Sequence, residues 1–274
     1  MSDEHPEPAG DPRWGRPVDV HLARDRAESF GAEADRYERA RPDYPAELGD
    51  DLVGDRPRRV LDVGCGTGKA ARLFTGRGCS VLGVEVDPRM AAIAQLSGLE
   101  VEIGAFETWD RRGRSFDLVA SGQAWHWVDP VVGPQLAADA LREDGVLALF
   151  WNYRRTLGRE ADRRLNALYA SNAAEVTNGP LLAAFNREAE TSRHVDALAA
   201  SGRFHPTQIV TYAWRQRYTR AEWLDLARTQ SDHMALPPAR LDPLLREVGV
   251  IIDDLGGSLD VEYETICIRA DRRE

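Results

Sequence analysis

The sequence predicts an α/β chain: a doubly wound, mostly parallel seven-stranded sheet with a helical insertion over one edge. Three observations carry this. Short apolar runs alternate with helical periods up to about residue 155, the first run ends in a glycine-rich turn, and the alternation stops after Trp151 and resumes near Gln208. A first domain is therefore expected over 27–155 and 206–274, with residues 156–205 as a helical cap and residues 1–26 as a mobile tail.

The tail is acidic and Pro-rich and has no apolar period. From Arg24 to Tyr37, the spacing of Phe30, Ala34 and Tyr37 suits a helix, which Pro42 and Pro45 close off. Strands follow at Arg59–Val63, Ser80–Val86, Leu99–Ile103, Phe116–Ala120 and Val146–Trp151. Helices lie between them, near Lys69–Arg77, from Pro88 through Leu96, and over Pro130–Leu141. Asp87-Pro88 reads as an N-cap followed by proline at the first helical position. The cap region is rich in Ala, Arg, Asn and Glu at helical spacing, with no convincing strand. A sixth strand is expected at Gln208–Tyr218, and Thr219 with Glu222 three residues on forms a capping box for a helix carrying Trp223, Leu226 and Ala227. Leu241, Leu244, Leu245, Val248, Ile252 and Leu255 mark another helix, Gly256-Gly257 end it, and Val261–Ile268 closes the sheet.

The 274 residues carry 35 Lys+Arg against 45 Asp+Glu, and this net charge of −10 argues against a general affinity for nucleic acid. With 43% hydrophobic and 29% charged residues the composition is that of a globular chain with an ample core. No apolar run approaches the roughly 20 residues that span a bilayer. The N-terminus resembles neither a signal nor a transit peptide, so a soluble, cytoplasmic protein is expected. Cys65, Cys79 and Cys267 form no CxxC pair, and no His, Cys or carboxylate group has metal-ligand spacing. No metal and no disulfide are expected.

The informative segment is VLDVGCGTGK, Val60 to Lys69. Gly64, Gly66 and Gly68 make a turn that admits a ligand closely. A dinucleotide fingerprint needs glycine where Lys69 stands, and a phosphate loop needs glycine at Val63 and Ser or Thr at Ala70. What remains is an acid before the glycines. Asp62 attracts an ammonium and repels a phosphate. Glu85, twenty-one positions after Gly64, ends the second strand where a carboxylate accepts from both hydroxyls of a ribose. Together they describe a nucleoside with an amino-acid tail, S-adenosylmethionine.

Over about residues 28–155 the chain resembles the class I S-adenosylmethionine-dependent methyltransferases. VLDVGCGTGK is similar to their cofactor loop and VEVDP to their ribose-binding turn, which implies a Rossmann-like sheet and cofactor contacts from Asp62, Gly64, Cys65, Gly66, Gly68, Glu85 and Val86. GAFETW stands where the family flanks adenine, implying Ala105 and Phe106, although the aromatic pattern departs from the family's small, acidic one. FDLVASGQAWHW resembles the fourth-strand motif facing the methionine moiety and the acceptor, implying Gln123. YERARPDYP with GQAWHW is similar to a subgroup near trans-aconitate methyltransferase, in which the first segment folds over the cofactor; this implies Tyr37 and Arg41.

Other candidates come from residue chemistry. His126 titrates near neutrality and is the candidate general base, against a packed side chain between two tryptophans. Trp125 and Trp127 line an acceptor pocket or belong to the core. Arg154 is a candidate for binding an acceptor carboxylate bidentately. The expected partners are a small-molecule acceptor and, for a homodimer, a second copy of the chain. A non-catalytic S-adenosylmethionine-binding protein and a nicotinamide-dependent oxidoreductase are the competing readings.

Overall fold

In the computed structural model, residues 34–56, 58–176 and 187–273 are described. The expected tail, and Arg24 to residue 33 of the first expected helix, lie outside these residues. Seven strands form one sheet in the order β3-β2-β1-β4-β5-β7-β6. They are β1 Arg59–Val63, β2 Ser80–Glu85, β3 Glu100–Ile103, β4 Phe116–Gly122, β5 Leu141–Thr156, β6 Gln208–Thr219 and β7 Ser258–Asp271. All neighbouring pairs are parallel except those made by β7, which runs antiparallel to both β5 and β6. The doubly wound sheet is as expected. Because β1 leads outward to β2 on one side and pairs with β4 on the other, a crevice opens at the carboxyl ends of β1 and β4.

The described helices are α1 Ala34–Ala40, α2 Ala46–Val53, α3 Lys69–Thr75, α4 Pro88–Leu96, α5 Val132–Ala140, α6 Arg159–Asn172, α7 Arg187–Ser201, α8 Arg220–Arg228, α9 Ser231–Met234 and α10 Pro238–Asp254. Asp87 caps α4 by accepting from the Arg89 N–H, and Thr219 and Glu222 form the expected reciprocal box on α8. Helix α2 was not foreseen. Pro45, expected to stop a helix, instead stands at the N-cap of a new one, where its missing N–H costs nothing. Strands β5 and β7 outrun their apolar segments at both ends. Their antiparallel ladder, from Val146 opposite Asp271 to Thr156 opposite Glu262, carries the C-terminal ends of both past the hydrophobic pattern. At the other ends Leu141 pairs with Phe116 of β4 and Ser258 with Thr219 of β6.

Both faces of the central strands β1, β2, β4 and β5 are buried, which is why these read as apolar runs, whereas the edge strand β6 alternates exposed and half-buried residues. Leu61 and Val63 point to one face with Leu82, Val84, Leu147 and Leu149, under α5 and α7. Val60 points to the other, with Leu118, Ala148, Phe150 and residues of α2 and α3. A third cluster joins Ala161, Leu165 and Tyr169 of α6 to Trp223 and Leu226 of α8 and to Val248 and Ile252 of α10. Helix α6 thus shares its core with the C-terminal helices.

One contact seats the glycine-rich turn. Cys65 turns its thiol away from the crevice onto Gly83 of β2, where an added Cβ would lie 2.5 Å from Sγ. Gly83→Ala therefore overpacks this point and is expected to cost about 1–3 kcal/mol in denaturant unfolding. In a Cys65→Ala background the penalty should fall by half or more; equal penalties in both backgrounds would contradict the contact.

Candidate active site

The crevice holds a cavity of about 770 Å³, within the range of small-molecule sites. Its floor begins where β1 ends. Gly64, Gly66 and Gly68 have φ of 67°, 55° and 88°, a backbone that favours glycine at all three. A Cβ at Gly64 would also meet Ala124 Cβ at 2.5 Å, so the turn after β1 and the turn after β4 touch through glycine alone. The Gly64 and Cys65 N–H groups donate to Val84 O at 2.8 and 3.2 Å, tying the turn to β2. Gly68 stands at the N-cap of α3 and does not line the cavity.

Glu85 fastens the turn from below. Its Oε2 accepts from the Gly66 N–H at 2.8 Å and its Oε1 from the Asp87 N–H at 2.9 Å. The carboxylate is buried yet still lines the cavity, and burial raises its pKa. Asp62, two residues before Gly64, is fully buried, and neither of its carboxylate oxygens has a hydrogen-bond partner. Burial first, then the nearby Glu85 charge, pushes its pKa up to about 7. Asp62 does not line the cavity; it lies behind Gly64, with the Ala71 backbone, among the described residues, the one group that favours its charged form. A buried acid this poorly satisfied suits a cationic ligand group.

Of the other expected cofactor residues, Tyr37, Arg41, Val86, Phe106 and Gln123 line the cavity. Arg41 stacks over Tyr37 at 5.0 Å, and its guanidinium donates to Thr229 Oγ1 and O, fixing α1 against the end of α8. Phe106 is buried between Trp109 and Trp125, while Ala105 precedes its turn and does not line the cavity. Cys65 lines only a smaller adjoining cleft. Gln123 has φ of 57°, a left-handed backbone for a non-glycine residue. It is held there by its N–H to Phe150 O at 2.9 Å and its amide to Asn152 O at 3.2 Å. Strain of this kind, anchored twice on β5, marks a position where the side chain's direction matters.

Trp125 is both wall and core: 2% exposed, it lines the cavity and packs within the main apolar cluster. Trp127 and His126 also line it. His126 Nδ1 accepts from Trp151 Nε1 at 3.4 Å, which assigns the ring proton to Nε2. Arg154 reaches the cavity, but its Nη1 already donates to Asp162 Oδ1 at 2.9 Å.

The far wall was not read from the sequence. Trp151 and Tyr153, two apart on β5, face one way, and α7 presents Glu190, Arg193, His194 and Ala197 at helical spacing. His194 stacks on Trp151 with centroids 4.7 Å apart, and Tyr153 donates to Glu190 Oε2 at 3.4 Å. Burial pushes the His194 pKa down to about 4 and raises that of Glu190. The i, i+3, i+4, i+7 spacing was visible, but nothing local distinguishes such a face from a solvated one.

A methyltransferase domain family matches residues 61–149. An uncharacterised methyltransferase of Mycobacterium tuberculosis is 32% identical over 259 residues, covering 90% of this chain and 97% of the relative. Trans-aconitate 2-methyltransferase of the same species is 35% identical over 92 residues, 33% of this chain and 34% of that protein. Among solved structures, a protein described as a type II methyltransferase from Anaeromyxobacter dehalogenans shares the fold, with a TM-score of 0.64 and 18% identity over 84% of this chain and 97% of its own. Similarity at this level over nearly the whole length shows that the chain belongs to the class I S-adenosylmethionine-dependent methyltransferases, with S-adenosylmethionine as cofactor.

Proposed function

We propose that the chain transfers a methyl group from S-adenosylmethionine to a small-molecule acceptor bound in the same cavity, without a metal ion. The observation that carries the reading is the pair of buried carboxylates at the glycine turn: Asp62 with two unpartnered oxygens, and Glu85 held open to the cavity by two backbone N–H groups. They suit the two ends of the cofactor that a phosphate-binding loop would not. Asp62 would pair with the ammonium of the methionine tail, and Glu85 would accept from the ribose hydroxyls. Val86 and Phe106 would border adenine, with Ala105 acting only through the turn it starts. Tyr37, Arg41 and Gln123 would enclose the methionine end, the last through a side chain whose direction its strained backbone fixes.

When bound, S-adenosylmethionine supplies an electrophilic methyl group and leaves as a neutral thioether. The protein's task is then alignment and exclusion of water, since holding two reactants in line supplies about 7–11 kcal/mol of the barrier. Trp125 and Trp127 form apolar walls for the acceptor. His126, expected as the general base, lies on the cavity wall with Nδ1 turned to Trp151 and would contact the acceptor oxygen. Among the described residues no group of three His, Cys, Asp or Glu side chains has metal-binding geometry. Also among them, no helix is long and apolar enough to cross a membrane.

Isothermal titration with S-adenosylhomocysteine tests this directly. Glu85→Gln replaces one acceptor oxygen by a donor facing an N–H, and should weaken binding at least about tenfold, or ~1.4 kcal/mol. Affinity within twofold of wild type would contradict the ribose role. The second outcome concerns pH. In the empty site Asp62 keeps its proton below about 7, whereas the ammonium needs the carboxylate. Binding below that pH therefore releases a proton and weakens about tenfold per pH unit, levelling off above about pH 7. Asp62→Asn should bind weakly at every pH and lose the slope. A wild-type affinity flat from pH 5.5 to 8 would remove Asp62 from the site.

A further inference from the structure

We propose that the methyl acceptor is a planar, mostly apolar molecule that presents a hydroxyl group to Glu190, and that Glu190 takes the hydroxyl proton as the methyl group arrives. The inference rests on the methyl-transfer reading above and adds the acceptor's chemical class and the proton's destination.

The far end of the cavity has flat aromatic walls and one polar corner. Trp127, Trp151 and Tyr153 supply aromatic surface. The corner is made by Glu190 and His194, one turn apart on α7, each only 9% exposed. His194 Nε2 is buried and has no hydrogen-bond partner, and the ring lies flat on Trp151. Glu190 meets Tyr153 through one long bond of 3.4 Å, which leaves capacity on both oxygens. A hydroxyl group satisfies this corner because it donates to the carboxylate while its oxygen accepts from an imidazole N–H.

Charge excludes the two obvious alternatives. An acceptor carboxylate would bring a second anion against the buried Glu190, with Asp196 also on the cavity wall. Of the guanidinium groups on the wall, Arg154 stands on Asp162 at 2.9 Å, Arg193 has Nη2 3.9 Å from Glu190 Oε1, and Arg41 is held away from this corner on Thr229. Those same guanidinium groups disfavour an acceptor cation. A neutral hydroxyl meets neither objection. Burial raises the pKa of Glu190, which brings its basicity closer to that of a phenol or enol oxygen. In the transfer the acceptor's O–H bond breaks and its proton passes to Glu190. The electron pair stays on oxygen and forms the bond to the methyl carbon, while the carbon–sulfur pair remains on sulfur.

The test uses three probes of one shape, 2-naphthol, 2-naphthoate and 2-naphthylmethylammonium, titrated calorimetrically into the full chain saturated with S-adenosylhomocysteine. The proposal predicts that 2-naphthol binds at least tenfold more tightly than either charged probe. Glu190→Gln should weaken 2-naphthol about tenfold and leave S-adenosylhomocysteine affinity within twofold. Preference for either charged probe, binding of none, or a Glu190→Gln variant with unchanged 2-naphthol affinity would overturn it. Should Glu190→Gln fail to fold, Tyr153→Phe frees the carboxylate for the ligand and is expected to keep or tighten 2-naphthol binding; a tenfold loss would count against the proposal. Failure of the wild-type chain to bind S-adenosylhomocysteine would instead refute the reading beneath it.

Discussion

The site is organised around a carboxylate that holds backbone. Glu85, at the last position of β2, accepts from the Gly66 N–H of the neighbouring glycine turn and from the Asp87 N–H in its own turn. A buried anion is costly unless such donors reach it, so the same two bonds that keep Glu85 ionisable also shape the glycine turn. Shape follows from there. The turn is pressed onto β2 through the Cys65 thiol on Gly83, and it approaches the β4 turn so closely that only glycine fits at position 64. Asp62 lies behind it with no well-formed hydrogen bond to either oxygen, the Ala71 backbone favouring its charge. The fold thus carries a satisfied acid at the end of β2 and a second, unsatisfied acid on neighbouring β1, and the second one defines what must arrive.

The opposite wall follows a different logic. Two side chains of alternate positions on β5 meet two side chains one turn apart on α7, so the strand period of two is matched to the helical period of 3.6. Trp151 takes part twice, stacking on His194 and donating to His126. Rigid aromatic contacts hold these ionisable groups where loops would leave them free, in keeping with a site that works by alignment.

Much of the cofactor side was legible in the sequence because it is local. The glycines, Asp62 and Glu85 fall within one strand–turn–helix–strand unit, and spacing alone separates them from phosphate-binding loops. The alternation of short apolar runs likewise announced every strand of the sheet. Less was legible where a residue's role depends on distant partners. Arg154 looks like a free carboxylate binder until Asp162, eight residues on, is seen beside it. Cys65 sits inside the motif, yet its thiol serves packing, because β2 happens to offer a glycine opposite. Glu190 and His194 sit in an Ala- and Arg-rich stretch whose polar face reads as solvated until α7 is laid over β5. Pro45 misled in a simpler way: a proline marks a helix start as readily as a stop, and only the following turn tells which.

The most direct measurement of the central claim is a crystal structure of the full chain grown with S-adenosylhomocysteine. The account predicts the ligand's amino group within hydrogen-bond distance of Asp62, its ribose hydroxyls on Glu85 and its sulfur turned toward the cavity beneath α7. A ligand whose amino group lies away from Asp62, or whose sugar is held by residues other than Glu85, would contradict it.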